Sequence, residues 1–241
     1  MQDLLFLFDI DGTLIHSDGA GSGAVRLAFR EYFGKAPDTQ NYIFDGKTDS
    51  VILSDLAELA EIDSDLFQEH RPVFEELLYD IMVDFSQKRN IQIKENVREV
   101  INEIGRHDNA YIGLVTGNDI RGAAAKLTAA GLKQFFTVGA YSGDGKNRSF
   151  LPPVAVKRAE RLFEKKFADN NIWIIGDTPN DVKAGKHNSY RTIAVATGRY
   201  SVEELQDEQP TIALERLDAN LFRVIIRGKW ISTDPEENDA G

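Results

Sequence analysis

Five short apolar runs divide the chain, and each has the length of a strand that is buried on both faces of a sheet. Between the later runs, apolar residues recur at helical spacing, as at Val97, Val100, Ile101 and Ile104. Alternation of this kind predicts right-handed crossovers and a parallel sheet. The predicted strands cover residues 4–8, 111–115, 135–139, 172–175 and 192–195.

Two further helices carry signals for their ends. The pattern that begins at Ile120 is followed by Gly131, a residue typical of the position just after a helix. Pro152 and Pro153 suit the first turn of a third helix. The end of the chain is predicted to complete the core with a helix near residues 211–221 and a short strand at 223–226.

The segment between about residues 17 and 90 breaks the alternation, because no stretch in it has a convincing strand pattern. Apolar stripes predict three helices here, and Pro72 either kinks the last one or marks its true start. The glycine-rich residues 19–23 predict a flexible hinge. We therefore predict an α/β core with an inserted all-helical cap domain. The cap helices are predicted near 22–34, 50–61 and 65–87, and the predicted bounds are 1–16 and 91–230 for the core, 17–90 for the cap and 231–241 for an acidic tail.

The composition is that of a globular protein, since 42% of the 241 residues are hydrophobic and 28% are charged. Cysteine is absent, which excludes a disulfide scaffold, a zinc-thiolate site and a cysteine nucleophile. The formal net charge of −11 argues against nonspecific nucleic-acid binding. No apolar run approaches the roughly 20 residues that span a bilayer, and the first run is too short for a secretory signal. We therefore expect a cytoplasmic protein with neither a nucleic-acid nor a membrane partner.

Carboxylates follow two of the predicted strands at the point where each strand ends. Asp9 and Asp11 come directly after the first, Asp177 and Asp181 follow the run at 172–175, and residues 116–118 (Thr-Gly-Asn) end the second. Ligands of open α/β sheets bind outside the carboxyl ends of strands, so these residues should meet at one edge. A turn or capping pair is the simpler interpretation of the first two acids. However, four converging carboxylates are costly without a divalent cation, and oxygen-only ligands indicate Mg²⁺.

These residues resemble the first, second and fourth motifs of the haloacid dehalogenase superfamily. The match is closest to its phosphatases with a helical cap, such as the phosphoglycolate phosphatase-like group, and spans about residues 4–200. The resemblance implies a Rossmann-like core, Mg²⁺ as cofactor and an aspartyl-phosphate intermediate.

The resemblance also assigns catalytic roles. Asp9 would attack the phosphorus, and Asp11 would protonate the leaving alkoxide and then deprotonate the water that cleaves the intermediate. Thr116, with the backbone amides of Gly117 and Asn118, would hold phosphoryl oxygens at a helix N-terminus.

The implied metal site uses oxygen atoms from two strand ends. The carboxylates of Asp9 and Asp177 and the backbone carbonyl of Asp11 would ligate Mg²⁺. Asp181 would act as an accessory ligand or orient the others.

The third motif of the superfamily is harder to place. The family carries a Lys or Arg there to neutralise the phosphate and the nucleophile, and residues 146–153 are Lys-Asn-Arg-Ser-Phe-Leu-Pro-Pro. Spacing from the following helix favours Arg148 over Lys146 for this role. The other residue is then a solvated loop charge.

Residues 45–49 (Asp-Gly-Lys-Thr-Asp) lie between two predicted cap helices. Similar loops in capped phosphatases descend over the active site, so Lys47 is a candidate for contact with the substrate. The alternative is that Thr48 or Asp49 caps the next helix and Lys47 is solvated.

We therefore predict a Mg²⁺-dependent phosphatase that hydrolyses a small phosphomonoester, with a phosphoglycolate-like anion as the leading substrate by resemblance. A phosphomutase of the β-phosphoglucomutase type is the main alternative, because it uses the same two carboxylates. A phosphonate hydrolase would need a cap lysine that forms a Schiff base, for which Lys47 is the candidate. A dinucleotide-binding protein is disfavoured because the glycine pattern at Gly19 and Gly21 should follow the first strand directly, and here it comes about ten residues later. A phospho-receiver domain is disfavoured because such a domain is about half as long as this chain.

Overall fold

Eight strands form two sheets in the computed structural model, which describes residues 2–230. Six of them make one parallel sheet in the order β5-β4-β1-β6-β7-β8, while β2 and β3 pair antiparallel. Every residue of the central strands β1 and β6 is buried, as expected for a parallel sheet covered on both faces. The strands are β1 Leu4–Phe8, β2 Ile15–His16, β3 Gln92–Ile93, β4 Ala110–Val115, β5 Gly139–Ala140, β6 Ile172–Gly176, β7 Arg191–Val195 and β8 Ile212–Leu214.

Nine α-helices complete the described part of the chain, and their connections with the strands give the Rossmann-like α/β core that the sequence predicts. None of these helices combines the length and the apolar character needed to cross a bilayer. The predicted acidic tail at residues 231–241 lies outside the described residues. The helices are α1 Ala20–Phe33, α2 Asp49–Leu59, α3 Ser64–Lys88, α4 Val97–Ile104, α5 Ile120–Ala129, α6 Leu151–Phe163, α7 Pro179–His187, α8 Val202–Gln206 and α9 Ala219–Ile226.

The two faces of the sheet bury different sets of side chains because alternate residues of a strand point in opposite directions. Phe6 and Phe8 of β1 pack with Phe222 of α9 on one face. Leu5 and Leu7 face the other side and belong to the cluster that includes residues of α6. The central strand is thus fixed from both sides, which holds the residues at its carboxyl end in place.

The helices α1, α2 and α3 share a hydrophobic core of their own, which contains Phe29, Leu53 and Phe74. They form one insertion between β2 and β3, whose pairing brings the two ends of the insertion together. The helix α3 continues through Pro72 without a break. These features agree with an inserted helical cap, and its bounds at residues 17 and 90 stay a prediction.

Two segments differ from the secondary structure expected. At the chain end the order is reversed, because β8 precedes a helix whose N-cap is Asp218, with a side chain that accepts a hydrogen bond from the Asn220 amide (2.9 Å). The β-branched run at 223–226 looks like a strand, but Phe222, Ile225 and Ile226 are buried at helical spacing. The expected strand at 135–139 begins as a 3₁₀ helix at Lys133–Phe135, and only Gly139–Ala140 pairs with β4.

The glycine-rich residues 19–23, predicted to be a hinge, form the start of α1. Gly19 is the N-cap of α1 with a φ of 68°, and residues 20–23 form its first turn. A Cβ on Gly23 would lie 2.7 Å from the Phe85 ring of α3. This glycine therefore allows the close packing of two helices.

A buried ion-pair network joins α4 to α9. The carboxylate of Glu103, which is 3% exposed, accepts hydrogen bonds from Arg223 Nε (2.8 Å) and Nη2 (2.9 Å). Arg106 Nη1 lies 3.0 Å and His107 Nε2 3.1 Å from the same carboxylate. The hydrogen bonds from Arg223 and His107 hold the pKa of Glu103 well below its ordinary value of 4.5.

We expect Glu103→Gln to lower the free energy of unfolding at pH 7 by about 1.5–3 kcal/mol, because hydrogen bonds to a charged group are lost. The depressed pKa means that this contribution is present above pH 4.5 and is lost as pH falls through the pKa of the folded state. Urea unfolding between pH 7 and pH 3 should therefore show the wild type and the variant converging in acid. The exposed Glu99→Gln on the same helix is the control. An equal difference at all pH values would contradict the ion-pair explanation.

Candidate active site

The central strand β1 places Asp9 at the carboxyl edge of the sheet. The Asp9 amide donates to the carbonyl of Ile175 on β6 (2.8 Å), so strand pairing continues up to this residue. Gly12 then turns the chain with a φ of 84°, and a Cβ there would overlap the carboxylate of Asp177. The absence of a side chain at Gly12 therefore lets the turn after β1 lie directly against Asp177.

Three buried carboxylates converge at this edge. Oxygen atoms of Asp9, Asp177 and Asp181 all lie within 4.8 Å of one another. The three residues are 7%, 4% and 2% exposed. Thr13 Oγ1 donates to Asp177 Oδ1 (2.8 Å) and fixes the orientation of that side chain.

Arg148 supplies the positive charge among these acids. It lies in a short 3₁₀ helix at Arg148–Phe150 just before α6 and is 6% exposed. Its Nη2 lies 2.8 Å from Asp9 Oδ1 and also contacts Asp181 Oδ1. Of the two basic residues considered for the third motif, Arg148 is the one that the fold places against Asp9.

One arginine does not balance three carboxylates. Burial raises the pKa of Asp9 to about 6, with Arg148 opposing the shift and Asp181 adding to it. Burial and the charges of Asp9 and Asp181 raise the pKa of Asp177 well above its ordinary value. The cluster therefore has an excess of negative charge that a bound cation would relieve.

Asp181 is the member of the cluster whose oxygens are already engaged. Its Oδ1 contacts Arg148, and its Oδ2 accepts hydrogen bonds from Thr178 Oγ1 (2.6 Å) and the Thr178 amide (3.1 Å). These bonds form a capping box at the start of α7, with Pro179 in the first turn. This arrangement suits Asp181 to orienting Arg148 and supporting the site.

Asp11 points away from the cluster toward α5. Its Oδ2 accepts hydrogen bonds from Lys126 Nζ (2.7 Å) and Asn118 Nδ2 (2.8 Å), and Lys126 Nζ also donates to Asn118 Oδ1 (2.6 Å). Burial opposes ionisation of Asp11, but Lys126, Asn118 and Ser17 more than offset it and lower the pKa below its ordinary value. Oδ1 of Asp11 accepts no hydrogen bond of normal geometry from the described residues. One oxygen is thus anchored, while the other is buried and unanchored.

Lys126 was missed by the sequence analysis. It is only 5% exposed, although lysine in the middle of a helix is ordinarily solvated. The signal was its position three residues after Ala123 and four after Gly122, which are also buried on the inward face of α5.

The loop after β4 contacts both the site and the cap. Thr116 is fully buried, and its Oγ1 lies 2.8 Å from Asn118 Nδ2. The carbonyl of Gly117 accepts a hydrogen bond from the Asp49 amide (2.7 Å), and a Cβ on Gly117 would overlap the carbonyl oxygen of Lys47. Glycine at this position therefore allows the cap loop to lie directly on the candidate phosphate-binding loop.

The cap loop is held by a further bond to the core and by two bonds within the cap. Asp49 Oδ2 accepts a hydrogen bond from the Asp119 amide (2.7 Å), at the N-terminus of α5. Lys47 Nζ is bonded within the cap, to Asp55 Oδ2 (2.8 Å) and to the Tyr42 hydroxyl (3.2 Å). Thr48 is the N-cap of α2, but its hydroxyl makes no capping hydrogen bond.

A cavity of about 290 Å³ lies between the core and the cap. Asp9, Asp11 and Arg148 line its core side, and Lys47 lines it from the cap loop. The structure thus brings predicted residues of five separate segments around one space that is open to a ligand.

The residues present fit a divalent cation of the magnesium type. The donor set is made of oxygen atoms only, which hard cations prefer over nitrogen or sulfur ligands. Asp9 and Asp177 belong to the group that can converge on one ion, and Asp11 is able to join them only through its backbone, since its carboxylate is bound to Lys126.

A comparison with family models gives one match, to the model described as haloacid dehalogenase-like hydrolase, over residues 6–195. No curated protein matches at a significant level of sequence similarity.

Solved structures with the same fold cover nearly the whole chain. A β-phosphoglucomutase from Clostridium difficile matches with a TM-score of 0.73 at 16% identity, covering 95% of this chain and 98% of that one. A protein named as a predicted phosphoglycolate phosphatase from Haemophilus somnus matches with 0.67 at 17%, covering 95% and 98%. A haloacid dehalogenase-like family hydrolase from Streptococcus pneumoniae matches with 0.62 at 16%, covering 89% and 94%. At these identities the likeness shows the fold alone.

We expect saturating MgCl₂ to raise the midpoint of thermal unfolding of the wild type by about 5 °C or more, because the ion binds only the folded carboxylate cluster. In Asp177→Asn the shift should vanish, while the metal-free stability should not fall, since one of three repelling charges is removed and Asn still accepts from Thr13. Asp169→Asn, an exposed acid far from the cluster, should keep the full shift. Equal stabilisation of Asp177→Asn by MgCl₂ would contradict the assignment.

Proposed function

The chain belongs to the family of haloacid dehalogenase-like hydrolases, and we propose that it is a Mg²⁺-dependent phosphatase that hydrolyses a small phosphomonoester. The observation that carries the proposal is the position of Asp9, buried beside Arg148 and two further carboxylates and open to a cavity that Asp11 also lines. A nucleophile, a proton donor and compensating positive charge are thus assembled around one space.

Asp9 is the nucleophile in the first step. One of its carboxylate oxygens attacks the phosphorus, an Asp9 O–P bond forms, and the P–O bond to the leaving group breaks. Arg148 holds the attacking carboxylate in place through its contact with Oδ1 and offsets negative charge on the transferred group. Bound by Asp9, Asp177 and the Asp11 backbone carbonyl, Mg²⁺ would neutralise the phosphoryl oxygens and the excess charge of the cluster.

Asp11 handles the proton in both steps. The ester brings one proton on its phosphoryl group to the ionised Asp11, which passes it to the leaving alkoxide as the P–O bond breaks. In the second step Asp11 takes a proton from the attacking water, a new P–O bond forms, the Asp9 O–P bond breaks and inorganic phosphate leaves. Lys126 and Asn118 anchor Oδ2, and the proton exchange is assigned to Oδ1, which is buried and accepts no hydrogen bond from the described residues. Lys126 is therefore a positioning residue, and its ammonium lies 2.7 Å from the carboxylate through which the proton passes.

Thr116 and the amides of Gly117 and Asn118 are proposed to hold the phosphoryl oxygens at the start of α5. Lys47 lines the cavity, but Asp55 and Tyr42 engage its amine. These contacts speak against the Schiff base that a phosphonate hydrolase would need.

We expect Asp9→Asn to lower phosphate release from small phosphomonoesters by more than about 10³-fold, because the nucleophile is removed. Chelation of Mg²⁺ should abolish release by the wild type. Mass spectrometry after reaction with acetyl phosphate should find the phosphoryl group on Asp9. The phosphomonoesters tested include phosphoglycolate. Glucose phosphates are added as possible acceptors of the phosphoryl group.

Two results would contradict the phosphatase proposal. Full activity of Asp9→Asn would exclude the proposed nucleophile. Transfer of the phosphoryl group to a sugar phosphate in preference to water would identify a phosphomutase instead.

We expect Lys126→Met to lower kcat/KM about 10–100-fold for alkyl phosphates, because Asp11 loses its anchor. The loss should be clearly smaller for acetyl phosphate, since acetate leaves without a proton. Lys133→Met, on a neighbouring turn that does not reach the site, is the control. An equal loss with both substrates would show that Lys126 acts on phosphate binding and not on Asp11.

A further inference from the structure

The cavity between core and cap has two chemically different ends. Among the described residues, the core contributes only polar side chains and glycines to its lining. The cap contributes a cluster of apolar side chains, drawn from all three cap helices and the loop before α2. These are Val25, Phe44, Ile52, Leu53, Leu78 and Met82.

In a phosphatase with Asp9 at the core end, the phosphoryl group lies at the core and the leaving group extends toward the cap. The apolar side chains that line the cavity would therefore contact the part of the substrate that departs, although Leu53 and Leu78 are almost wholly buried in the core of the cap. Burial of hydrocarbon there is worth roughly 0.8 kcal/mol per CH₂. The volume of about 290 Å³ is at the lower limit of small-molecule pockets, which restricts the leaving group to a few carbons.

The charges around the cavity disfavour an anionic leaving group. Each cation that lines it, among the described residues, is already paired with a carboxylate: Arg148 with Asp9, Lys126 with Asp11, and Lys47 with Asp55. Two further acids, Asp45 and Asp49, also line the space. A carboxylate or second phosphate at the cap end would lose its hydration without gaining a free cation.

The pair of Lys47 with Asp55 decides this balance. Lys47 is the cation of the cap loop, and Asp55 binds its amine at 2.8 Å while also accepting a hydrogen bond from the Tyr42 hydroxyl (2.7 Å). Lys47 also lies 4.3 Å from the centre of the Tyr42 ring. Three contacts thus engage the amine, while the Lys47 and Asp55 side chains are 33% and 36% exposed.

We infer that the substrate is the phosphate ester of a small, uncharged and largely hydrocarbon alcohol, and that Asp55 enforces this choice by neutralising Lys47. The inference rests on the proposed phosphatase function. It favours a neutral leaving group over the glycolate that the family resemblance suggests.

The test compares propyl phosphate with phosphoglycolate, whose leaving groups are similar in size and differ in charge. The wild type should have a kcat/KM at least ten-fold higher for propyl phosphate. Asp55→Asn, which frees Lys47 but keeps an acceptor for Tyr42, should raise the ratio of phosphoglycolate to propyl phosphate at least ten-fold. Asp84→Asn, which breaks the exposed pair with Lys88 on the cap helix α3, should leave the ratio unchanged.

A binding measurement separates this inference from the phosphatase proposal. Calorimetry with the non-hydrolysable propylphosphonate and phosphonoacetate should show tighter binding of the propyl compound by the wild type, with the preference reduced in Asp55→Asn. If neither ester is hydrolysed but this preference is found, the proposed function fails and the inference about the cavity stands. If phosphoglycolate is the better substrate or phosphonoacetate the tighter ligand of the wild type, the inference is overturned and the phosphatase proposal is judged by hydrolysis alone.

Discussion

The repulsion among Asp9, Asp177 and Asp181 is the constraint on which the arrangement of the core depends. Like charges about 4 Å apart repel by about 4 kcal/mol at an effective dielectric constant of about 20. Oxygen atoms of all three lie within 4.8 Å of one another in a place that water hardly reaches. Arg148 relieves part of this repulsion. The same excess of negative charge that opposes folding here is what gives the cluster affinity for a cation.

Much of the surrounding structure serves to bring these carboxylates together. β1 and β6 are adjacent in the sheet, so their carboxyl ends deliver Asp9 and Asp177 side by side. Gly12 leaves room for the Asp177 side chain, and the capping box of α7 fixes Asp181 against Arg148. Each of these features is local. The hydrophobic core on both faces of β1 holds them in fixed positions relative to one another.

The sequence was informative wherever function is tied to a strand end. A buried run followed at once by Asp9 and Asp11, or by Asp177, predicts both the element and the edge to which it delivers its acids. It was less informative where partners lie on helices. The bond from Lys126 to Asp11 joins residues 115 positions apart. It could be predicted only after the inward face of α5 was known. In the same way, the β-branched run before residue 227 fits a strand and a helix equally well until the contacts of Phe222 and Ile225 decide between them.

The cap loop shows how the two parts of the cavity are coupled. Gly117 lets the backbone of Lys47 lie against the candidate phosphate-binding loop. The Asp49 amide donates to the Gly117 carbonyl, and the Asp49 carboxylate accepts from the Asp119 amide. The loop that lies on the candidate phosphate-binding loop therefore also carries Lys47, a cation that lines the cavity. Since Asp55 on α2 is the partner of this cation, the charge presented to the leaving group is set inside the cap. Under the proposed function, the core would keep one arrangement of charges for the phosphoryl group, while the choice of leaving group would depend on cap residues that touch neither Asp9 nor the other carboxylates of the cluster.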